Sequence, residues 1–227
     1  YTLQPVNITN NTGQFDDVPA GTYTVEVNDE NDCGPVSTDN IVINEPSAIS
    51  IDGTSSSNIT CNGAADGSIT VNASGGTGSL TYTLQPDGTS NTTGDFTNLT
   101  AGSYTVDVTD ENGCGPETTS QIDITEPAAI TVTDTSHTDV TCAGNGDGTI
   151  TVTASGGSGN LSYTLEPGNI TNTTGEFNNL GPGTYSVNVT DDNGCGPVNT
   201  GDFTITEPAA LSIDNITSDN ISCFGGS

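Results

Sequence analysis

The chain contains no lysine and no arginine. Its Asp and Glu total 29, so the formal net charge is −29. Nucleic-acid binding needs a basic surface, and that function class is excluded. Attraction to anionic lipid is disfavoured for the same reason. No ion pair to a basic side chain other than the single His can form, and the fold must tolerate self-repulsion that salt or bound cations relieve. The chain also lacks Met and Trp, carries one His, and has only 5% aromatic residues. No apolar stretch is long enough to cross a membrane as a helix, so direct membrane insertion is not expected. Without a Lys, a Lys–Asn isopeptide crosslink is impossible. Ser, Thr and Asp abound, yet no base stands ready to activate a hydroxyl nucleophile, so an enzyme is not expected. The glycine runs at 144–148 and 155–159 open no helix and carry no Lys, and read as turns rather than phosphate cradles. His137 has no counterpart in the other copies and reads as a solvated linker residue.

What the chain does have is a strict period of 81 residues. Cys33, Cys114 and Cys195 keep this step, as do Cys61, Cys142 and Cys223. Tyr1, Tyr82 and Tyr163 repeat likewise, followed by Tyr23, Tyr104 and Tyr185. Such repetition marks one small domain copied in tandem. The register places complete copies at 46–127 and 128–208, the C-terminal part of a copy at 1–45, and the start of another at 209–227. Tyr1-Thr-Leu-Gln-Pro5 matches Tyr82-Thr-Leu-Gln-Pro86 in mid-copy, and a window on a longer array is the expectation.

Within the middle copy the alternation is that of strands. Ala48–Asp52 and Asn58–Cys61 read as a first edge strand with a break. Ser68–Ala73 turns Ile69 and Val71 to one face, and Leu80, Tyr82 and Leu84 point inward from the next strand. Phe96 and Leu99 anchor a short strand. Ser103–Val108 buries Tyr104, Val106 and Val108, Asp110-Glu-Asn-Gly113 makes a hairpin turn, and Gln121–Thr125 closes the domain. About seven short strands with no helical period predict an all-β chain of tandem immunoglobulin-like β-sandwich domains. The bends Val18-Pro-Ala-Gly-Thr-Tyr23, Leu99-Thr-Ala-Gly-Ser-Tyr104 and Leu180-Gly-Pro-Gly-Thr-Tyr185 have the form of a tyrosine corner, the alternative being an ordinary core Tyr.

Six cysteines, two per period, point to disulfides and an oxidising compartment. With no CxxC pair and no Cys/His cluster, zinc is not indicated. One bridge inside each copy, Cys61–Cys114 and Cys142–Cys195, is the expected arrangement, leaving Cys33 and Cys223 without partners. Bridges between neighbouring copies, such as Cys33–Cys61, are the alternative.

The carboxylates recur at fixed places. Asp110-Glu111 and Asp191-Asp192 sit in equivalent hairpins, and Glu126 and Glu207 at the junctions. Loop carboxylates and carbonyls of this kind suit calcium, so a hairpin of one copy facing the next junction is a candidate calcium site. A solvated acidic surface is the competing reading. N-glycosylation sequons begin at Asn58, Asn91, Asn98, Asn169 and Asn172, and glycans there would shield the array.

Several spaced motifs together resemble the SprB repeat. They are Ile59-Thr-Cys-Asn-Gly63, Asp66-Gly-Ser-Ile-Thr-Val71, Ser74-Gly-Gly-Thr-Gly78, Leu99-Thr-Ala-Gly-Ser-Tyr-Thr-Val106 and Thr109-Asp-Glu-Asn-Gly-Cys114. The same order runs from Val140-Thr-Cys142 to Asn193-Gly-Cys195, and Cys223-Phe-Gly-Gly226 begins it again. That family occurs in very large surface adhesins of Bacteroidetes, including the gliding-motility adhesin exported by type IX secretion. The resemblance implies an extracellular, cell-surface, adhesive filament segment. Its partners would be neighbouring repeats and extracellular surfaces or glycans. The alternative is a non-catalytic spacer or binding module of a secreted multidomain enzyme.

Overall fold

A computed structural model of the chain describes residues 1–31 and 33–220. Cys223, and with it the end of the expected 209–227 segment, lies outside the described residues. Every regular element among them is a β-strand, and the pairings whose register is described are antiparallel. The all-β, immunoglobulin-like expectation is met.

The first stretch supplies β1 (Thr2–Gln4), β2 (Ile8–Thr9), β3 (Gly21–Val27), β4 (Val36–Ser37) and β5 (Ile41–Ile43). They form one sheet in the order β2-β1-β3-β4, with β5 also on β3. The middle copy supplies β6 (Ser50–Ser57), β7 (Gly67–Ser74), β8 (Thr81–Gln85), β9 (Thr89–Asn91), β10 (Asp95–Leu99), β11 (Gly102–Thr109), β12 (Glu117–Thr118) and β13 (Ile122–Ile124). Its sheets are β10-β7-β6 and β12-β11-β8-β9, with β13 on β11. The third copy supplies β14 (Thr131–Thr138), β15 (Gly148–Ser155), β16 (Leu161–Glu166), β17 (Ile170–Asn172), β18 (Glu176–Leu180), β19 (Gly183–Asp191) and β20 (Val198–Ile205). Its sheets, β14-β15-β18 and β17-β16-β19-β20, repeat the plan of the middle copy.

The chain divides into two compact units. One comprises residues 1–55, 70–95 and 104–121, the other 56–69, 96–103 and 122–227. The second unit contains the whole third copy and shows how the sandwich is filled. Ile150 and Val152 of β15 and Phe177 and Leu180 of β18 project from one sheet. Tyr163 and Leu165 of β16, Val187 and Val189 of β19, and Phe203 and Ile205 of β20 project from the other. Along β15, β16, β19 and β20 these are alternate residues, as the two-residue strand period requires; in β18 the buried pair is three residues apart, beside a register shift against β15. They form a single buried cluster, with Ile130, Val132, Ala154, Leu161 and Tyr185 packed against it. The core is mostly aliphatic, with Tyr163, Phe177 and Phe203 as its aromatic members, and the solvent faces of the same strands are mostly Thr, Ser and Asn. That polarity suits a sandwich wet on both outer faces.

Two details depart from the expected strands. The first strand does not break where its apolar alternation stops: β6 continues through Gly53-Thr-Ser-Ser-Ser57. Ile59 lies beyond β6 and outside any strand, yet it is buried. Its N–H donates to Thr125 O at 3.0 Å. His137 is not in a linker but on β14 opposite Ile150. Its exposed ring meets the edge of Phe203 at a centroid distance of 5.9 Å.

The corners at Tyr23 and Tyr185 form as read. The Tyr185 hydroxyl donates to Gly181 O at 3.2 Å, and the Tyr23 hydroxyl to Pro19 O at 2.8 Å. The glycine-rich loop after β15 has a steric cause. Gly156 has φ +90°, and a Cβ there would stand 2.0 Å from Ala129 O. Only glycine lets the loop cross the entering chain so closely.

Candidate functional site at the repeat junction

The Cys61–Cys195 disulfide joins the first turn of the middle copy to the last hairpin of the third, with Cα atoms 5.5 Å apart. Both cysteines lie in the second unit. Cys33, Cys114 and Cys142 are exposed free thiols. The expected pairs Cys61–Cys114 and Cys142–Cys195 are therefore corrected: among the described residues, the bridge joins successive copies.

The physical reason is length. In the third copy the chain leaves the Cys195 hairpin along β20, which has eight residues. At about 3.4 Å per residue that strand covers ~27 Å. It delivers Glu207 to the turn that holds Cys142, where Gly144 N–H donates to Glu207 Oε2 at 2.9 Å. The two cysteines of a copy thus mark opposite ends of the sandwich, and a disulfide requires Cα atoms within about 7 Å.

Each half of the junction is held by carboxylates. On the hairpin side, Asp191 Oδ1 accepts the N–H groups of Asn193 at 3.0 Å and Cys195 at 2.9 Å. Its Oδ2 accepts Ser158 N–H at 2.8 Å from the glycine-rich loop. Asp191 is only 5% exposed. Burial pushes its pKa up, but the backbone donors of Ser158, Cys195 and Asn193 outweigh that and hold it below the ordinary 3.8. Asp110 repeats the device with Thr77, Asn112 and Cys114 N–H, and Thr77 N–H is the main cause of its lowered pKa. Asp192 Oδ2 accepts the backbone N–H of Asn160 at 2.8 Å and its side-chain N–H at 3.1 Å. Glu111 donates its backbone N–H to Thr77 O at 3.2 Å.

On the turn side, Asp66 Oδ1 accepts Thr60 N–H at 3.1 Å and Oδ2 accepts the Thr60 hydroxyl. The Thr60 hydroxyl is the main reason Asp66 titrates low. Glu126 Oε2 accepts Gly63 N–H at 2.6 Å, and Asn62 Nδ2 donates to Pro127 O at 3.0 Å. The turn is thereby tied to the strand end that leads into the next copy. Across the junction, Asn193 Nδ2 donates to Thr60 O at 3.3 Å. The Cys195 sulfur lies 3.4 Å from the same oxygen; a disulfide sulfur has no proton, so this is a packing contact.

No group of three or more His, Cys, Asp or Glu side chains suited to one ion exists among the described residues. Asp110, Glu126, Asp191, Asp192 and Glu207 each hold a backbone N–H of a turn instead.

The sequon asparagines have backbone roles, local ones except at Asn58. Asn91 and Asn172 are turn-formers: Asn172 Oδ1 accepts Thr174 and Gly175 N–H, and Nδ2 donates to Glu176 O. Asn91 does the same with Thr93, Gly94 and Asp95. Asn98 and Asn169 adopt positive φ, 58° and 53°, which Asn tolerates better than most residues. Asn58 Oδ1 accepts Thr125 N–H at 2.9 Å, and its counterpart Asp139 accepts Thr206 N–H at 2.7 Å. The disulfide pairing was the feature missed in sequence. The signal available was that the first turn and last hairpin of a sandwich face opposite ways, which favours a partner in the adjoining copy.

Two segments of the chain are similar to a known family. The SprB repeat matches residues 53–89 and 135–170. These segments run from β6 to β9 and from β14 to β17. No curated protein matches the chain. Among solved structures, the C-terminal 282-residue fragment of intimin, crystallised with the intimin-binding domain of the translocated intimin receptor, aligns at 15% identity and a TM-score of 0.35. The alignment covers 70% of this chain and 64% of that fragment, so the chain spans just under two thirds of its length.

Proposed function

We propose that this chain, which carries SprB repeats in tandem, is a segment of an extracellular adhesive filament whose modules are residues 46–127 and 128–208. The observation that carries the reading is the Cys61–Cys195 bond. A disulfide inside a domain stabilises that domain alone. One that bridges successive copies resists hinging at the junction, which serves a chain that transmits force or holds its reach. A disulfide also fits an oxidising, extracellular setting.

Two further features support extension. The junctions Glu45-Pro46, Glu126-Pro127 and Glu207-Pro208 are short and stiffened by proline. The uniform negative charge, uncompensated by any Lys or Arg, opposes folding back. Adhesion would then reside in the repeated outer surfaces, with other copies and extracellular surfaces or glycans as partners. No catalytic role is assigned.

Small-angle scattering of chains lengthened in register by one, two and three copies tests this. The maximum dimension is expected to grow in near-equal steps. A dimension that grows with the cube root of mass, as for a compact particle, would contradict the filament.

A further inference from the structure

We propose that the end of the third copy around Cys142 is a docking and disulfide-forming site for the last hairpin of a following copy of the same repeat. The inference rests on the filament reading above and adds its covalent chemistry: each first-turn cysteine pairs with the hairpin cysteine 134 residues onward, the separation seen for Cys61 and Cys195.

Three cavities carry the argument, because they are one site in three states of completion. The first is assembled. Cys61 and Asn62 of one copy, Ala129 and Ile130 of the connecting chain, and Cys195 and Gly196 of the next hairpin line it together. The second is lined by Thr141, Cys142, Ala143, Pro208, Ala209 and Leu211. Cys142, Ala210 and Leu211 lie 81 residues after Cys61, Ala129 and Ile130. This is the turn-and-linker half without a hairpin. The third is lined by Ala48, Ile49, Gly76, Asp110, Cys114 and Gly115. Those positions precede Ala129, Ile130, Gly157, Asp191, Cys195 and Gly196 by the same 81 residues. This is the hairpin half without a preceding turn.

The local supports are already in place at Cys142. Asp147 Oδ1 accepts Thr141 N–H at 2.9 Å, and Glu207 Oε2 accepts Gly144 N–H at 2.9 Å. Asp66 and Glu126 do the same beside Cys61. The apolar residues say what should cover this end. Ile130 and Val132 pack against the core of the third copy. Their counterparts Leu211 and Ile213 are 104% and 81% exposed. The core of a following copy supplies what they lack. The free thiol of Cys142 is exposed, as a bond-forming cysteine must be.

The oxidant is a small-molecule disulfide. One cysteine thiolate attacks it, forming a mixed disulfide and releasing one thiol. The second cysteine thiolate attacks the protein sulfur of that intermediate and releases the other. Two protein thiols are oxidised to one disulfide, the oxidant is reduced to two thiols, and the two cysteine protons end on them.

The test inserts a second run of residues 128–208 after Pro208 of the full chain and oxidises it with oxidised glutathione. Peptide mapping without reduction should find Cys142 joined to the added copy's counterpart of Cys195, with Cys61–Cys195 retained. Cys114 should stay open to alkylation. In a Cys142→Ser version of the lengthened chain, the added hairpin cysteine should become alkylatable while Cys61–Cys195 persists. Cys142 left alkylatable in the lengthened chain, or joined to a cysteine of its own copy, would overturn the proposal. Scattering of the same chain under reducing conditions separates the two readings. An elongated profile with Cys142 unpaired in the oxidised sample sinks the docking site alone, whereas a compact profile sinks the filament.

Discussion

At the scale of single residues, this chain solves with backbone N–H donors what other proteins solve with basic side chains. Without Lys or Arg, its carboxylates turn to backbone N–H groups. Tyr185 shows how one hydroxyl fixes a bend: it is carried on the strand it opens and donates back to Gly181 O. Tyr185→Phe keeps the ring and removes only that donor. The change should cost about 0.5–1.5 kcal/mol, read as a lower urea midpoint with an unchanged slope. A midpoint equal to that of the parent chain would show that the corner is ornamental. This residue was legible in the sequence because its bend recurs in three copies. The sequon asparagines were legible as residues but not as roles. An Asn-Thr-Thr-Gly turn and a glycosylation signal are the same letters, and only the hydrogen bonds of Asn172 reveal the turn.

At the scale of elements, alternation identified the core strands, since β15, β16 and β19 bury every second residue. It could not identify β9 and β17, three residues each, whose mostly polar side chains carry no period. Nor could it show that β6 runs on through a serine-rich stretch, where the backbone ladder and not side-chain burial decides. Between these strands the turns depend on ionised aspartates. Asp66, Asp110, Asp139, Asp147 and Asp191 all titrate below the ordinary 3.8. Carboxylates depressed in the folded state bind fewer protons there than in the unfolded chain. Their stabilisation is complete above the unfolded value and is lost as pH falls through the folded ones. Relief of self-repulsion works in the opposite direction on acidification, so the comparison belongs in about 0.5 M salt, where exposed charges are largely screened. The urea midpoint should then be level from about pH 7 to 5 and fall below about pH 4. A midpoint that stays level or rises on acidification would contradict the role given to these turns.

At the scale of the whole molecule, the 81-residue period was plain in the sequence, while the linkage between copies was not. Periodicity repeats every cysteine equally and so cannot rank a partner within a copy against one in the next. The ranking comes from the length of β20, which carries the two cysteines of a copy to opposite ends. From that one dimension follow the cross-copy bond, the free thiols at Cys114 and Cys142, and the reading of the array as stapled at its joints. The most direct test is peptide mapping of the oxidised, unlengthened chain without reduction. It should yield a Cys61–Cys195 crosslinked peptide, with Cys114 and Cys142 recovered as alkylated thiols. A Cys61–Cys114 or Cys142–Cys195 peptide would contradict the account, returning each disulfide to its own copy and leaving the junctions unstapled.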